Sequence, residues 1–484
     1  MSRPLKPRSR PNPLSAQPLR RRPSYRPPPD ARYQKPKGIA TMWTRVRHLL
    51  WSWWLWAGLA VYLLTQRNWW AATGIALWSG VCSLSFPAEF PPQYGLDHNL
   101  SVTDPEFCET MAGAAGVPFV GGNSLLLLNN GDRFYPAMLD GIANATRSIT
   151  IEAYIYWAGE IGMTFARALA AAQQRGVRVK ILLDAVGSQS VGSEILKVLE
   201  TGGCHLAWYN PFRWTHLRRI NNRTHRKSLI IDGRIGFTGG AGIADHWTGD
   251  AQDSKHWRDL QIRIEGPAVR PLQTGFAQNW LESTGELVTG PYFYPEPASA
   301  GTLSLQTIMS SPETGASTVR VMYCLAISAA RTSIDIANPY FVPDHVSIDL
   351  FRDAVKRGVR VRVMLAGISN DTLITRYNSR RLYGALLVAG VELYEYNRTM
   401  MHHKIMMVDG RWSTVGTANF DNRSFSHNEE SNVSVIDQDV TRELLASYER
   451  DLAVCERMTL DGWRHRGAAT RVIEALASFV QDQV

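Results

Sequence analysis

Three kinds of hydrophobic pattern follow one another along the chain. Leu49–Gln66 runs for 18 residues without a charge, and after Arg67 a second uncharged stretch covers Asn68–Ala88. As a helix, the first would span ~27 Å, enough for one bilayer crossing. Eight of the 16 tryptophans lie between Trp43 and Trp78, the placement expected where helices meet lipid headgroups. A buried core pair and a secretory signal are the rival readings. The charged region ahead is too long for a signal, and no small-x-small cleavage site follows. The stretches therefore predict N-terminal membrane helices over 49–88, preferably a hairpin turning at Gln66–Asn68. A hairpin would return the chain to the cytoplasm; a single crossing would leave it outside.

Beyond a connector carrying Pro87, Pro91 and Pro92, the rhythm becomes that of an α/β protein. Ser148–Ile155 is β-branched and reads as a strand, Met163–Arg175 as an amphipathic helix ending at Gly176, and Val177–Leu183 as another strand. The order then returns: strand Ser333–Ala337, helix Ile348–Arg357, Gly358, strand Val359–Leu365. RGVRV occurs at Arg175–Val179 and again at Arg357–Val361. Offsets of 185 at Ser148/Ser333 and 182 at Arg175/Arg357 define a duplicated α/β unit of about 180 residues. The predicted division is 105–282, a Pro/Gly/Ser-rich linker 283–304, and 305–484 with C-terminal helices. The apolar periodicity of Val472–Val480 fits a packed terminal helix better than a membrane-surface one.

Charge is unevenly spread. Residues 1–48 hold 13 of the 52 Lys+Arg and one acid, while the rest carries 39 bases and 42 acids. The arm is too rich in Pro and Arg to bury a core; it reads as a disordered tail or as an arm lying on anionic headgroups. The near-neutral remainder disfavours a nucleic-acid-coating protein. Five scattered cysteines without CxxC spacing argue against a disulfide framework or a cysteine zinc site.

The chemistry is concentrated in one motif that occurs twice. His225, Lys227 and Asp232 stand in THRKSLIIDG, and His402, Lys404 and Asp409 in MHHKIMMVDG, each as H-x-K-x4-D. Composition alone predicts about 0.01 such patterns in a chain of this length, and their separation of 177 matches the repeat. On a strand, His and Lys two apart share a face, and the Asp-Gly pair falls at the turn. A neutral imidazole can attack phosphorus while a protonated one gives a proton to the leaving oxygen. Two lysines would hold the phosphoryl oxygens, so the motif calls for no metal and no cofactor. Adjacent His402 and His403 would point apart, a poor start for a metal site.

With Gly239-Gly240 and GTAN (Gly416–Asn419) following them, the paired motifs resemble the phospholipase D superfamily. WRDLQIRIEGPAV (Trp257–Val269) and WSTVGTANFDNRSFSHNEE (Trp412–Glu430) are similar to segments of its bacterial cardiolipin synthases. The resemblance covers about residues 105–455. It implies two duplicated α-β-α sandwich domains sharing one active site, and a phosphohistidine intermediate. His225 would be the nucleophile and His402 the general acid, or the reverse. Lys227, Lys404 and Asn419 would bind phosphate, and Asp259 and Glu430 would orient the imidazoles. Gly239 and Gly240 are candidates for substrate contact. Asp232 and Asp409 belong to the motif, although their turn positions favour a structural role. Gly242 departs from the family, which often has Asn there.

The segment Arg213–Lys227 carries six bases and no acid; it is either a solvated loop or an entrance for anionic headgroups, with Arg223 a candidate ligand. The expected partners are the lipid bilayer and its phospholipids, phosphatidylglycerol first and phosphatidylethanolamine as a second donor, rather than nucleic acid. The expected reaction joins two phosphatidylglycerols into cardiolipin and glycerol. Hydrolysis to phosphatidic acid is the nearest rival; a nucleic-acid phosphodiesterase and a non-catalytic lipid-binding scaffold are weaker ones.

Overall fold

The structure, a computed structural model, describes residues 52–85, 100–212, 221–312 and 317–478. The basic arm and residues 213–220 of the arginine-rich segment lie outside the described residues. The repeat appears as two sets of strands. The first half contains β1 (Val120–Asn129), β2 (Ser148–Ala153), β3 (Arg178–Asp184), β4 (His205–Tyr209), β5 (Arg223–Thr224), β6 (Ser228–Ile231), β7 (Ile235–Gly239) and β8 (Leu260–Glu265). The second contains β9 (Leu303–Ser310), β10 (Ser333–Ala337), β11 (Arg360–Ala366), β12 (Glu392–Tyr396), β13 (Lys404–Val408), β14 (Trp412–Gly416), β15 (Asn428–Ile436) and β16 (Cys455–Met458).

Each half repeats one strand order, β1-β8-β7-β6-β2-β3-β4 and β9-β15-β14-β13-β10-β11-β12, with β16 at the far edge. β1 and β9 pair antiparallel, Val120 opposite Leu305 and Asn123 opposite Leu303, so the two halves form one continuous sheet. The mirrored order sets a pseudo-twofold axis at that seam. The outer strands β2, β3 and β4, like β10, β11 and β12, run parallel, linked by helices such as Glu160–Gln174 and His345–Lys356. Parallel neighbours need such crossovers, which is why helical and strand periodicities alternate in the sequence.

Helices cover both faces. On one face each half keeps its own core, built on Phe134, Phe165 and Leu169 in the first and on Met322, Phe351 and Phe420 in the second. On the other face a single core crosses the seam, joining Leu272 and Phe276 to Val415, Leu444 and Tyr448. Each large side chain so buried contributes about 1.5–3 kcal/mol, and the shared core ties the halves together. Helix Pro105–Ala115, counted by sequence with the first unit, packs Phe107 and Met111 into the core of the second. The linker region ends where β9 begins, at Leu303.

Two helices, Trp53–Thr65 and Trp69–Ser85, pack against each other through a turn at Arg67 with φ 57°, burying Ala60 and Ala72 between them. The hairpin matches the sequence pattern, but the helices are shorter than the uncharged stretches. The first has 13 residues, not 18. No helix among the described residues is long and apolar enough to cross a membrane.

Candidate active site

The two motif histidines meet at the axis, and each is held by the opposite half. β5, just ahead of His225, pairs with β15, and the His225 N–H donates to the Glu429 carbonyl at 2.9 Å. In the second half the His402 N–H donates to the Arg258 carbonyl at 2.8 Å. Both histidines therefore precede their strands, in extended segments tied to the other half, rather than lying within the strands as the spacing predicted. The side chains cross likewise. His225 Nδ1 lies 3.0 Å from Glu430 Oε2, and His402 Nδ1 3.0 Å from Asp259 Oδ2.

The carboxylates are themselves anchored. Glu430 accepts from the Thr417 hydroxyl and from Asn428 Nδ2. Asp259 accepts the Leu260 N–H at 2.8 Å and the Trp247 indole N–H at 2.8 Å. Burial alone would raise Glu430, but His225, Thr417 and Lys227 draw it down to about 2. Burial is likewise outweighed at Asp259 by His402 and Lys404, which hold it low. Burial pushes His225 down to about 4; Glu430 opposes this and the two lysines reinforce it. Burial and Lys404 bring His402 to about 4 against the pull of Asp259. At neutral pH the resting site thus holds two carboxylates and two neutral imidazoles. Their Nδ1–H groups face the carboxylates, which leaves each Nε2 with a lone pair.

The lysines break the symmetry. Lys227 Nζ donates to the His225 carbonyl at 2.9 Å, whereas Lys404 Nζ lies 3.0 Å from His402 Nε2 and also donates to the His402 carbonyl. Burial and their mutual repulsion lower Lys227 to about 7; burial lowers Lys404 to about 8 against Asp259 and Glu430. Each lysine ammonium faces a tyrosine, Lys227 over Tyr154 and Lys404 over Tyr340. The same tyrosines stand against His225 and His402, with ring centroids 5.3 and 6.0 Å away. Tyr154 directly follows β2 and Tyr340 lies close behind β10, at an offset of 186 that falls within one residue of the one aligning Ser148 with Ser333.

The remaining sequence candidates take different places. Asp232 and Asp409 are not at the site. Each sits at the opposite end of its strand from the histidine, with φ 53° in an Asp-Gly turn. The Asp232 carboxylate accepts the backbone N–H groups of Thr146, Arg147 and Ser148, and Asp409 those of Arg331, Thr332 and Ser333. They pin the start of β2 and β10, the structural role that their turn positions favoured. Asn419 is buried beside the site, with its amide oxygen unpartnered. Arg223 is buried and pairs with Asp184. Gly239 and Gly240 provide space. A Cβ on Gly240 would lie 2.2 Å from Asp259 Oδ1 and 2.8 Å from the His402 carbonyl.

Gly242, the departure from the family pattern, stands 177 residues before Asn419, at the matching place in the repeat. A Cβ there would meet the Ile155 carbonyl at 2.8 Å and the Trp247 ring at 3.0 Å. Trp247 and Trp257 pack on His402, with centroids 5.5 and 5.6 Å away, and sequence reasoning missed both. His403 is buried next to His402, and among the described residues no group of three His, Cys, Asp or Glu could hold a metal.

Two H-x-K motifs that exchange carboxylate partners across a duplicated α/β sheet define a phospholipase D-like protein. The family described as cardiolipin synthase, PLD-like domain, matches residues 138–280 and 323–452, which include both motifs. The chain belongs to the cardiolipin synthase family, phosphatidyltransferases of the phospholipase D superfamily. It is 36% identical over 354 residues to a cardiolipin synthase of Geobacillus sp. (strain WCH70), covering 72% of this chain and 70% of that protein. It is 34% identical over 351 residues to cardiolipin synthase 2 of Bacillus anthracis, covering 72% and 68%. A phosphatidylserine synthase from Haemophilus influenzae Rd KW20 shares the fold, with a TM-score of 0.58 at 13% identity over 78% of this chain and 100% of that one.

Proposed function

We propose that the protein transfers a phosphatidyl group from one phosphatidylglycerol to another, forming cardiolipin and glycerol through a phosphohistidine. The crossed imidazole–carboxylate pairs carry this reading. They present one nucleophile and one proton donor on a shared axis, with two ammonium groups beside them. The lysine asymmetry supports His225 as nucleophile. Its Nε2 lone pair is left open, while that of His402 already meets a proton donor in Lys404. His225 Nε2 attacks phosphorus and the P–O bond to the glycerol headgroup breaks. His402 gives that oxygen its proton. The hydroxyl of a second phosphatidylglycerol then attacks the phosphatidyl-histidine, His402 takes its proton, and the His225 N–P bond breaks. Entry of an anionic phosphodiester between the lysines favours the protonated form of His402 that the first step needs.

The phosphate oxygens would be held by Lys227, Lys404 and Asn419. The helix pair 53–85 would anchor the protein in the bilayer as a hairpin, with the basic arm and catalytic halves on the cytoplasmic side. Exposed Trp54, Trp70 and Leu77 support that placement. Product analysis by mass spectrometry tests the reaction, using phosphatidylglycerol in detergent–lipid micelles with EDTA and a His225→Ala control. Cardiolipin and glycerol from the wild type alone would establish it. Phosphatidic acid without cardiolipin would replace it with hydrolysis.

A further inference from the structure

The reacting histidines are buried, so a double-chained lipid must present its phosphate through an opening while its acyl chains stay outside. The histidines stand at the carboxyl ends of the parallel strands, where Tyr154 and Tyr340 follow β2 and β10. Ligands of open α/β sheets enter at such ends. Loops after the neighbouring strands close over both tyrosines. Gly187, after β3, packs so tightly that a Cβ would lie 2.7 Å from the Tyr154 ring. In the other half Asp371, after β11, accepts the Tyr340 hydroxyl at 2.5 Å. Tyr154 stands against His225 and Tyr340 against His402, so the two loops flank the same pair of histidines.

The outward side of these loops is apolar. Val186 after β3 is 50% exposed, Phe212 after β4 56%, Ile368 and Leu373 after β11 66% and 59%, and Ile374 49%. Single exposed apolar residues are ordinary on a protein surface, but residues from both halves gathered around one opening mark an interaction site. We infer that Val186, Phe212, Ile368, Leu373 and Ile374 form a rim that seats the active-site mouth in the interfacial layer of a lipid bilayer, so that phosphodiesters reach the histidines directly from the membrane. The rim rests on the lipid-transfer reading above, and a bilayer suits its chemistry. The inner wall is tyrosine and lysine, suited to a headgroup; the outer edge is aliphatic and phenyl, suited to the first carbons of acyl chains.

The test compares two forms of substrate for the full chain: phosphatidylglycerol in vesicles, and dihexanoyl phosphatidylglycerol below its micelle-forming concentration. Ile368→Glu with Leu373→Glu should cut vesicle turnover at least tenfold and leave turnover of the monomeric lipid within twofold. Val388→Glu, equally exposed (68%) at the far end of helix Leu373–Val388, should change neither. Undiminished vesicle turnover in the double variant overturns the rim. An environment-sensitive dye on Ile368→Cys should shift to the blue with phosphatidylglycerol vesicles, after subtraction of the unsubstituted chain, and a dye on Val388→Cys should not. No shift at 368 overturns the rim even if both activities fall. A shift that follows protein concentration without vesicles also overturns it, identifying a second copy as the occupant. Failure of the wild type to make cardiolipin from either form of the lipid would refute the reaction instead, and the dye would still read the surface.

Discussion

Trp247 donates its indole N–H to Asp259 Oδ2 at 2.8 Å, the same oxygen that meets His402 Nδ1 at 3.0 Å. The indole therefore shares the charge that would otherwise be spent on the imidazolium of His402. A hydrogen bond to a charged group is worth about 1.5–3 kcal/mol. Trp247→Phe keeps the ring and removes the donor, concentrating the carboxylate charge on His402 and making its proton harder to lose. Asp259, Lys404 and Asp371 are the charged groups acting on that imidazole. The expected outcome is a lower kcat, with the component of the alkaline limb of the pH–rate profile due to His402 moved upward and the acid limb unmoved. A loss of kcat with both limbs in place would make Trp247 a packing residue only.

Glu430 reaches His225 from the other half and acts on the step that leaves positive charge on the imidazole. Glu430→Gln keeps the size and an acceptor oxygen but no longer balances that charge. Loss of such assistance costs about 10²-fold or more. Because Glu430 does not face the phosphate, kcat should fall while KM changes by less than about threefold. Single-turnover trapping should show slower formation of the phosphohistidine. An equal loss spread between kcat and KM would show that Glu430 shapes the pocket instead.

Titration of the free enzyme should be visible in kcat/KM. His225 must be neutral to attack, and burial lowers it to about 4, so the acid limb should lie well below the ordinary imidazole range. Lys227, lowered to about 7, and Lys404, lowered to about 8, must be protonated to hold the phosphate. His402, lowered to about 4 in the free enzyme, must be protonated for the first step, so the ratio should already fall above that value, and it should fall more steeply from about pH 7 upward as the ammonium charges are lost. Lys227→Arg keeps its charge throughout, so its residual activity should decline less between pH 7 and 9. A wild-type profile flat through that range would exclude this role for the lysines.

Asp232 and His225 belong to one sequence motif and to opposite ends of one strand. Asp232→Ala removes a carboxylate that holds three backbone N–H groups at a φ of 53°. Each unpaired donor and the positive φ cost about 1–3 kcal/mol. The variant should melt earlier, yet its activity per folded molecule should stay within about twofold. A large loss of kcat in the folded protein would return Asp232 to the catalytic group.

The duplication, the alternation of strand and helix within each half and the histidine–lysine pairs were legible because they are written in short-range rhythm and literal repetition. Ser333–Ala337 appears as a strand with the limits its sequence suggested. The crossing of Phe107 and Met111 into the second core was not legible. An amphipathic helix records which of its faces is apolar but not which half of a duplicated protein will cover it. Family likeness singled out Asp259 and Glu430 as orienting acids but not their exchange of partners, since nothing in local spacing ties residue 225 to residue 430. Trp247 escaped because a tryptophan near a motif reads as core until its indole N–H is seen to reach a carboxylate.

Gly242 shows how far the pseudo-symmetry extends. At the matching place in the second half stands Asn419, buried with an unpartnered amide oxygen, and an asparagine at 242 would supply a second such amide if it fitted. The packing forbids it. The first carbon of a side chain at 242 would lie 2.8 Å from the Ile155 carbonyl and 3.0 Å from both Ile155 Cβ and Trp247 Cζ3. Trp247 cannot yield without losing its bond to Asp259, and the Ile155 carbonyl is engaged by the Ile243 N–H at 2.9 Å. Overpacking of this kind costs about 1–3 kcal/mol. Gly242→Asn should therefore lower the melting temperature and reduce kcat, with an alkaline limb displaced in the same direction as in Trp247→Phe. In the double variant the kinetic losses should combine to less than their product, because both act through the one contact between Trp247 and Asp259. A gain of activity in Gly242→Asn would mean that the pocket can accept a second amide and that Trp247 is free to move aside.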